Sequence, residues 1–298
     1  MTGLQISVIT SLYRCEAFLR QFLAHYAAID NIQECELILV HNDPTEEELR
    51  IIEQFMRQPV HVRHIMVKRE GLYASWNRAI AASSGKYLAI WNVDDIRTPG
   101  SLVAQKQALE QSNAVMCYGD FYGTTQYGTY AEKLYEYDNY EQCRQEAYKR
   151  HIIGCFPMWR KSIHQQMGYF DEQFRLVSDY EFQLRLIRRY PMVKAPVVLG
   201  YYLEYAGHKL SSNRRRQTRE RTTVELRYHM YDKILVHFLP FISAYKVNFV
   251  LNFGEWVSLS SFIPKQRGLK LSLLAMPFYY GRWFVKRSVH TLYVLIFQ

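Results

Sequence analysis

No uninterrupted apolar run reaches the roughly 18 residues of an ordinary transmembrane helix, so none is expected in this 298-residue chain. The opening stretch, Met1 to Ser11, lacks a basic start and a cleavage site. It reads as a first strand and not as a signal peptide. Cysteine is sparse: Cys15, Cys35, Cys117, Cys143 and Cys155 are scattered, odd in number and never spaced Cys-x-x-Cys. That pattern argues for reduced thiols in a cytosolic setting and against a zinc site. No Gly-x-Gly-x-x-Gly follows the first strand, which excludes a dinucleotide fingerprint, and no Walker-type glycine-lysine loop occurs, which excludes a P-loop. Internal repeats and low-complexity linkers are also missing.

What is present is a large apolar fraction, 49%, enough for a sizeable core in one domain or one domain with an extension. Charge is unevenly placed. From Tyr205 to Gln298 there are 15 Lys and Arg against 4 Asp and Glu, whereas the first 204 residues carry a net −2. The overall +9 therefore belongs to the last third, which points to an anionic partner there, either membrane or nucleic acid.

Strand and helix patterns alternate through the first half. Ile6 to Thr10, Glu36 to Val40, Val60 to Val67, Tyr87 to Trp91 and Ala114 to Tyr118 read as buried strands. Between them, Phe18, Phe22 and Tyr26 recur at helical spacing, Thr45-Glu46-Glu47-Glu48 has the form of a capping box, and Ser75 to Ala82 and Leu102 to Leu109 are helical. This alternation predicts an α/β fold with a parallel sheet. Gly119 to Tyr140 reads as a loop or short antiparallel strands, and Pro196 to Tyr205 is β-like. Ser178-Asp179-Tyr180-Glu181 opens a helix to about Tyr190, and Arg214 begins a basic helix to about Val236.

The chain turns on Trp91-Asn92-Val93-Asp94-Asp95-Ile96, at the end of a buried strand and before Thr98-Pro99, which reads as an N-cap and first helical residue. In open α/β sheets ligands bind at the carboxyl ends of strands. Adjacent carboxylates there suit Mg2+ or Mn2+, which commonly take substrate phosphates as further ligands. Taken alone, the pair also reads as solvated turn residues.

The order of motifs resembles a family 2 glycosyltransferase of the GT-A fold, over about the first 215 residues. The opening ISVITSLYR resembles the family's first strand and nucleotide loop. His41-Asn42-Asp43-Pro44 stands where the family usually has an acidic pair, and Gly71 with Trp76-Asn77-Arg78 resembles the helix before the metal motif. Asn92-Val93-Asp94-Asp95 resembles the Asp-x-Asp metal signature, with Asn92 in place of the usual first Asp. Gly168-Tyr169-Phe170-Asp171 and Ser178-Asp179 resemble the acceptor-side turn and the catalytic-base helix, and His208 to Ser211 a late loop that closes on the diphosphate.

The resemblance implies a Rossmann-like, mostly parallel central sheet flanked by helices. It implies an inverting transferase that moves a sugar from a nucleotide-diphosphate donor to a hydroxyl of a glycan or glycolipid acceptor, assisted by Mn2+ or Mg2+. Asp94, Asp95 and His208 would serve the metal. Thr10, Tyr13, Asp43, Asn77, Asn92 and Val93 would serve the nucleotide, and Asp179 would be the base. Structural alternatives stand beside these roles: Asp43 as a turn residue before Pro44, Tyr13 as a surface aromatic, His208 as a structural histidine. Asp179 could merely favour the helix dipole within a Ser178-to-Glu181 capping box.

Composition divides the chain into a catalytic part, 1–212, and a basic, aromatic-rich helical extension, 213–298. In the extension, Trp256 and Trp283 are interleaved with Lys265, Arg267, Arg282 and Lys286, a mixture suited to an anionic membrane surface. Peripheral attachment to the inner face of the cell membrane is one expectation; packing back on the catalytic part, or across a homodimer, is the other. A nucleotidyltransferase would want a glycine-rich basic loop where Ser11-Leu12-Tyr13-Arg14 stands. With no RNA or DNA motif, no nucleic acid partner is expected.

Overall fold

The computed structural model describes residues 3–130, 132–204, 213–228, 230, 245–263 and 285. The chain starts with β1 (Ile6–Leu12) and α1 (Glu16–Ala27), which buries Leu19, Phe22, Leu23 and Tyr26, one apolar stripe at helical spacing. β2 (Cys35–Asn42) is buried along its whole length. α2 (Glu46–Phe55) opens on the expected capping box: Thr45 Oγ1 accepts from the Glu48 N–H (3.3 Å), and Glu48 Oε2 accepts from the Thr45 N–H (2.9 Å). β3 (His61–Val67), α3 (Leu72–Ala82) and β4 (Tyr87–Ile90) follow; α3 begins a turn earlier than its periodicity indicated.

After β4 come β5 (Ile96–Arg97), α4 (Ser101–Glu110), β6 (Met116–Tyr118), β7 (Phe121–Thr124) and β8 (Lys133–Tyr135). Then follow α5 (Tyr140–Ala147), β9 (Met158–Arg160), α6 (His164–Met167), α7 (Ser178–Ile187), β10 (Met192–Lys194) and β11 (Gly200–Leu203). The described part of the extension holds α8 (Arg214–Arg227) and the hairpin β12 (Phe249–Asn252) and β13 (Glu255–Ser258). Among the described residues no helix is long and apolar enough to cross a membrane.

Seven strands form the central sheet in the order β10-β6-β9-β4-β1-β2-β3. β1 to β4 pair parallel, as do β6 and β10, and β9 alone runs antiparallel to its neighbours. Alternate residues feed two cores. Val8, Leu37, Leu39 and Ala89 face α1, α2 and α4, while Ile9, Ile38, Val40 and Ile90 face α3 and α7. A second sheet, β5-β11-β7-β8, lies beyond the carboxyl end of β4. A Cβ on Gly200 would collide with the Ile96 carbonyl, so only glycine lets β11 lie this close to β5.

Two boundary expectations are corrected. Thr98 does not cap a helix: α4 begins at Ser101 after Gly100, and the Thr98 hydroxyl donates to the Val198 carbonyl (2.8 Å). Ser178 and Glu181 form no capping box: α7 has no side-chain cap, the Ser178 hydroxyl is buried without a partner, and Glu181 turns inward. The basic helix also ends sooner, at Arg227.

The compositional break at 212 is not a break in packing. Val224, Tyr228, Val250, Leu259, Phe262 and Ile263 belong to the same apolar cluster as α3 and α7. At its centre Arg227 Nη1 lies 2.9 Å from both Asp171 Oδ2 and Glu181 Oε1, all fully buried. Glu181 also accepts from the Tyr228 hydroxyl (2.7 Å) and pairs with Arg185. Burial alone would raise the Glu181 carboxyl, but Arg185 and Arg227 hold it below its ordinary value.

Candidate active site

Parallel pairing puts the ends of β1, β2, β3 and β4 on one edge, with Leu12 opposite His41, Asn42 opposite Val67 and Ile9 opposite Ile90. The loops leaving that edge carry most of the residues singled out above. Asp43 follows β2 in the left-handed region (φ 43°), which Asp tolerates better than most side chains, and it is exposed. Its N–H donates to the Val67 carbonyl (3.0 Å), and its Oδ1 accepts from the Arg69 N–H (3.1 Å). The Arg69 guanidinium lies over the Tyr13 ring, 3.0 Å from its centre, and Tyr13 remains 38% exposed. Asp43, Arg69 and Tyr13 therefore make one rim that combines a carboxylate, a cation and an aromatic face.

A buried group holds that rim from below. Glu48 accepts from the Cys15 N–H (2.7 Å) and the Thr45 N–H, and lies 3.0 Å from His41 Nε2. His41 Nδ1 is in turn 3.1 Å from His64 Nε2. One carboxylate thus ties together the loops after β1 and β2. Burial would raise it, yet the two backbone donors and His41 bring it down to about 2. Burial, with the His41 charge, pushes His64 down to about 4.

Thr10 is buried, and its hydroxyl donates to the Trp91 carbonyl (2.8 Å), which fastens β1 to the loop after β4. Asn77 is also tied into the fold. Its amide is fully buried, donating to the Phe170 carbonyl (2.8 Å) and Glu172 (2.8 Å) and accepting from the Phe170 N–H (3.0 Å). It pins the turn at Phe170 to α3.

In the loop after β4, Asp95 is buried and braces the turn: Oδ2 accepts from Asn92 Nδ2 (3.0 Å) and Oδ1 from the Leu203 N–H (3.3 Å). The Trp91 indole donates to the Asp95 carbonyl (2.9 Å), and the Arg97 guanidinium to that of Ile90 (2.8 Å). Asn92, Val93 and Asp94 are half-buried. The Tyr127 and Tyr202 phenols stand close enough that, after burial, the charges of Asp94 and Asp95 push both up. Among the described residues no three His, Cys, Asp or Glu side chains form a metal-holding group. A hard cation would find one half-buried carboxylate here, that of Asp94, while Asp95 is engaged in bracing the turn. His208 lies outside the described residues.

Asp179 sits in the first turn of α7. Its Oδ1 accepts from the Tyr73 hydroxyl (3.1 Å) and from the Tyr180 N–H (2.8 Å). Tyr73 stands at the start of α3, directly after β3, which brings Asp179 to the same sheet edge. Oδ2 is 3.6 Å from His151 Nε2; the two side chains are 29% and 33% exposed. Burial and the Asp179 charge push the Tyr73 phenol well up, which keeps it a donor. Sequence reasoning missed Tyr73, His151, Arg69 and Glu48. Only Glu48 carried a signal, as the last residue of a capping box, and that signal spoke of helix start alone.

A mostly parallel sheet with a carboxylate loop after its fourth strand and a second sheet beyond it is the GT-A glycosyltransferase fold. Solved structures agree on that fold. Staphylococcus aureus TarS 1–349 in complex with UDP-GlcNAc superposes with a TM-score of 0.59 at 15% identity, over 87% of this chain and 72% of that one. The mannosyltransferase PcManGT of Pyrobaculum calidifontis, in complex with GDP-Man and Mn2+, gives 0.57 at 13% identity, over 82% and 69%. Residues 7–191 match the Glycosyl transferase family 2 model, and the chain belongs to that family. The uncharacterized glycosyltransferase YwdF of Bacillus subtilis is 25% identical over 171 residues, 55% of this chain and 62% of YwdF. A PGL/p-HBAD biosynthesis glycosyltransferase of Mycobacterium tuberculosis is 23% identical over 193 residues, 61% and 72%.

Proposed function

We propose that the chain transfers a hexose-type sugar, with inversion, from a nucleoside-diphosphate donor to a hydroxyl of a glycan or lipid-linked acceptor, in the assembly of a surface polysaccharide or glycolipid. The observation that carries this reading is the state of Asp179. Tyr73 and the helix's own N–H both engage Oδ1, while Oδ2 faces the His151 ring at 3.6 Å. The acceptor oxygen attacks the anomeric carbon and forms the new glycosidic bond while its proton passes to Asp179. The bond from that carbon to the diphosphate oxygen breaks, and its electron pair leaves with the diphosphate. Tyr13 and Arg69 would stack on the base, Asp43 would accept from base or ribose, and Asn92 and Val93 would border the ribose. Asp94, steadied by Asp95, would hold Mn2+ or Mg2+, whose contribution is to neutralise charge on the departing diphosphate. We place this chemistry on the cytoplasmic side of a membrane, with the basic extension attached peripherally.

The test is thermal stability with UDP, GDP, dTDP and CMP, with and without Mn2+. A ligand at about 100 times its dissociation constant adds about 2.7 kcal/mol. The expected result is a rise with one nucleoside diphosphate that needs Mn2+ and is lost in Asp94→Ala. A rise that persists unchanged in Asp94→Ala would remove the metal role of that residue.

A further inference from the structure

The β12–β13 hairpin has one face that the fold uses and one that it does not. Val250 and Asn252 point inward. The Asn252 amide donates to the Phe170 carbonyl (3.0 Å) and accepts from the Tyr169 N–H (3.1 Å), and the Leu251 N–H donates to Asp171 (3.0 Å). These bonds bolt the hairpin to the acceptor-side turn. The opposite face follows from the register. Leu251 lies across from Trp256 and Phe249 is two residues before Leu251, so all three share the outward side. Phe249 and Trp256 are each 40% exposed there, and the Lys246 ammonium sits 4.0 Å from the centre of the Trp256 ring.

The turn sharpens the point. Its two residues, Phe253 and Gly254, both have positive φ, 51° and 81°. Such two-residue turns favour Asn-Gly, and an aromatic at the first position is strained. Phe253 touches the Tyr169 ring yet remains 50% exposed. A strained residue that leaves half its apolar surface in water is poorly accounted for by folding. Two further cations lie near the residue that leads into the hairpin. Arg216 and Arg219, exposed on α8, lie near enough to Tyr245, which leads into the hairpin, for their charges to act on its phenol.

We propose that the outward face of this hairpin, Phe249, Leu251, Phe253 and Trp256, with Lys246 and the basic start of α8, seats on an anionic lipid bilayer. Aromatic side chains enter the interfacial layer while Lys and Arg meet the lipid phosphates. An aliphatic residue at the centre of the strip, Leu251, suits acyl chains better than stacked bases. The bolts to Asp171 and Phe170 then put the acceptor-side turn next to the membrane, where a lipid-linked acceptor resides. This deepens the peripheral placement proposed above and does not depend on the transferase chemistry.

The experiment is flotation of the full chain with phosphatidylglycerol vesicles and, separately, phosphatidylcholine vesicles, for wild type, Phe253→Asn and Trp256→Ser. Asn suits the left-handed turn, so Phe253→Asn is expected to keep or raise the thermal midpoint while weakening binding to the anionic vesicles about tenfold. Wild type is expected to float with phosphatidylglycerol and far less with phosphatidylcholine. Variants that bind as tightly as wild type would overturn the hairpin assignment and leave peripheral attachment to another part of the chain. Wild type that floats with neither vesicle overturns both. Salt-sensitive retention on a polynucleotide, without flotation, overturns both in favour of nucleic acid.

Discussion

In the proposed reaction Asp179 takes the proton of the acceptor hydroxyl. Tyr73 and the Tyr180 N–H hold Oδ1, and His151 stands beside Oδ2 at 3.6 Å. The expected outcome for Asp179→Asn is a loss of turnover of about 10^2- to 10^4-fold with nucleotide binding kept. Tyr73→Phe removes one hydrogen bond to a charged group and is expected to cost about tenfold in turnover. Both are read from release of the nucleoside diphosphate, using the donor chosen by thermal shift. Equal turnover in Asp179→Asn would dismiss this carboxylate as the base. Asp179 was legible in the sequence because a motif carries it. Tyr73 and His151 were not, since they lie 106 and 28 positions away and only the tertiary fold brings three separate elements to one carboxylate.

At the scale of elements, α2 shows how a local signal can conceal a tertiary one. Thr45 and Glu48 make the capping box that the sequence announced, but Glu48 also fixes the Cys15 loop and His41. Two depressed groups of this cluster contribute to the pH dependence, beside His164, whose burial also pushes it down to about 4. His64 falls from 6.5 to about 4, so the unfolded chain binds more protons across that range and stability declines as pH drops through it. Glu48 falls from 4.5 to about 2, so its contribution is complete above 4.5 and is lost as pH drops towards 2. Thermal midpoints measured from pH 7 to pH 3 should fall in two stages. Glu48→Gln should weaken the lower stage, and His64→Gln should weaken the upper, of which His164 supplies the remainder. α7 gives the opposite lesson: Ser178-x-x-Glu181 has the letters of a capping box, but buried arginines attract Glu181 more strongly than its own helix terminus does.

At the scale of the molecule, the described residues from Asn213 to Ile263 share a core with the rest of the chain. Arg227 compensates two buried carboxylates, and Glu220 accepts from the N–H groups of Arg175 (3.0 Å) and Leu176 (2.7 Å) in the approach to the Asp179 helix. Arg227→Ala leaves Asp171 and Glu181 buried beside one another and is expected to cost about 3–5 kcal/mol in urea unfolding. A chain ended at Ser212 should lack a cooperative transition altogether. A residue 1–212 fragment as stable as the full chain would show that the extension is an independent attachment.

The sequence by itself determined the alternation of strands and helices, the parallel sheet, the carboxylate loop after β4 and the family. The first three follow from periodicity and from short contiguous patterns, which local physics reads directly; the family came from the resemblance of the ordered motifs. Tertiary structure alone decided which polar residues stay exposed at the sheet edge and which are buried. Thr10 and Asn77 look like ligand-binding residues in a list of motifs, yet each is buried against a carbonyl from a distant segment, Trp91 and Phe170. The same holds for the extension, whose charge marks it as separate while its buried side chains join the core. Composition records what a segment is made of; burial depends on what the rest of the chain brings against it.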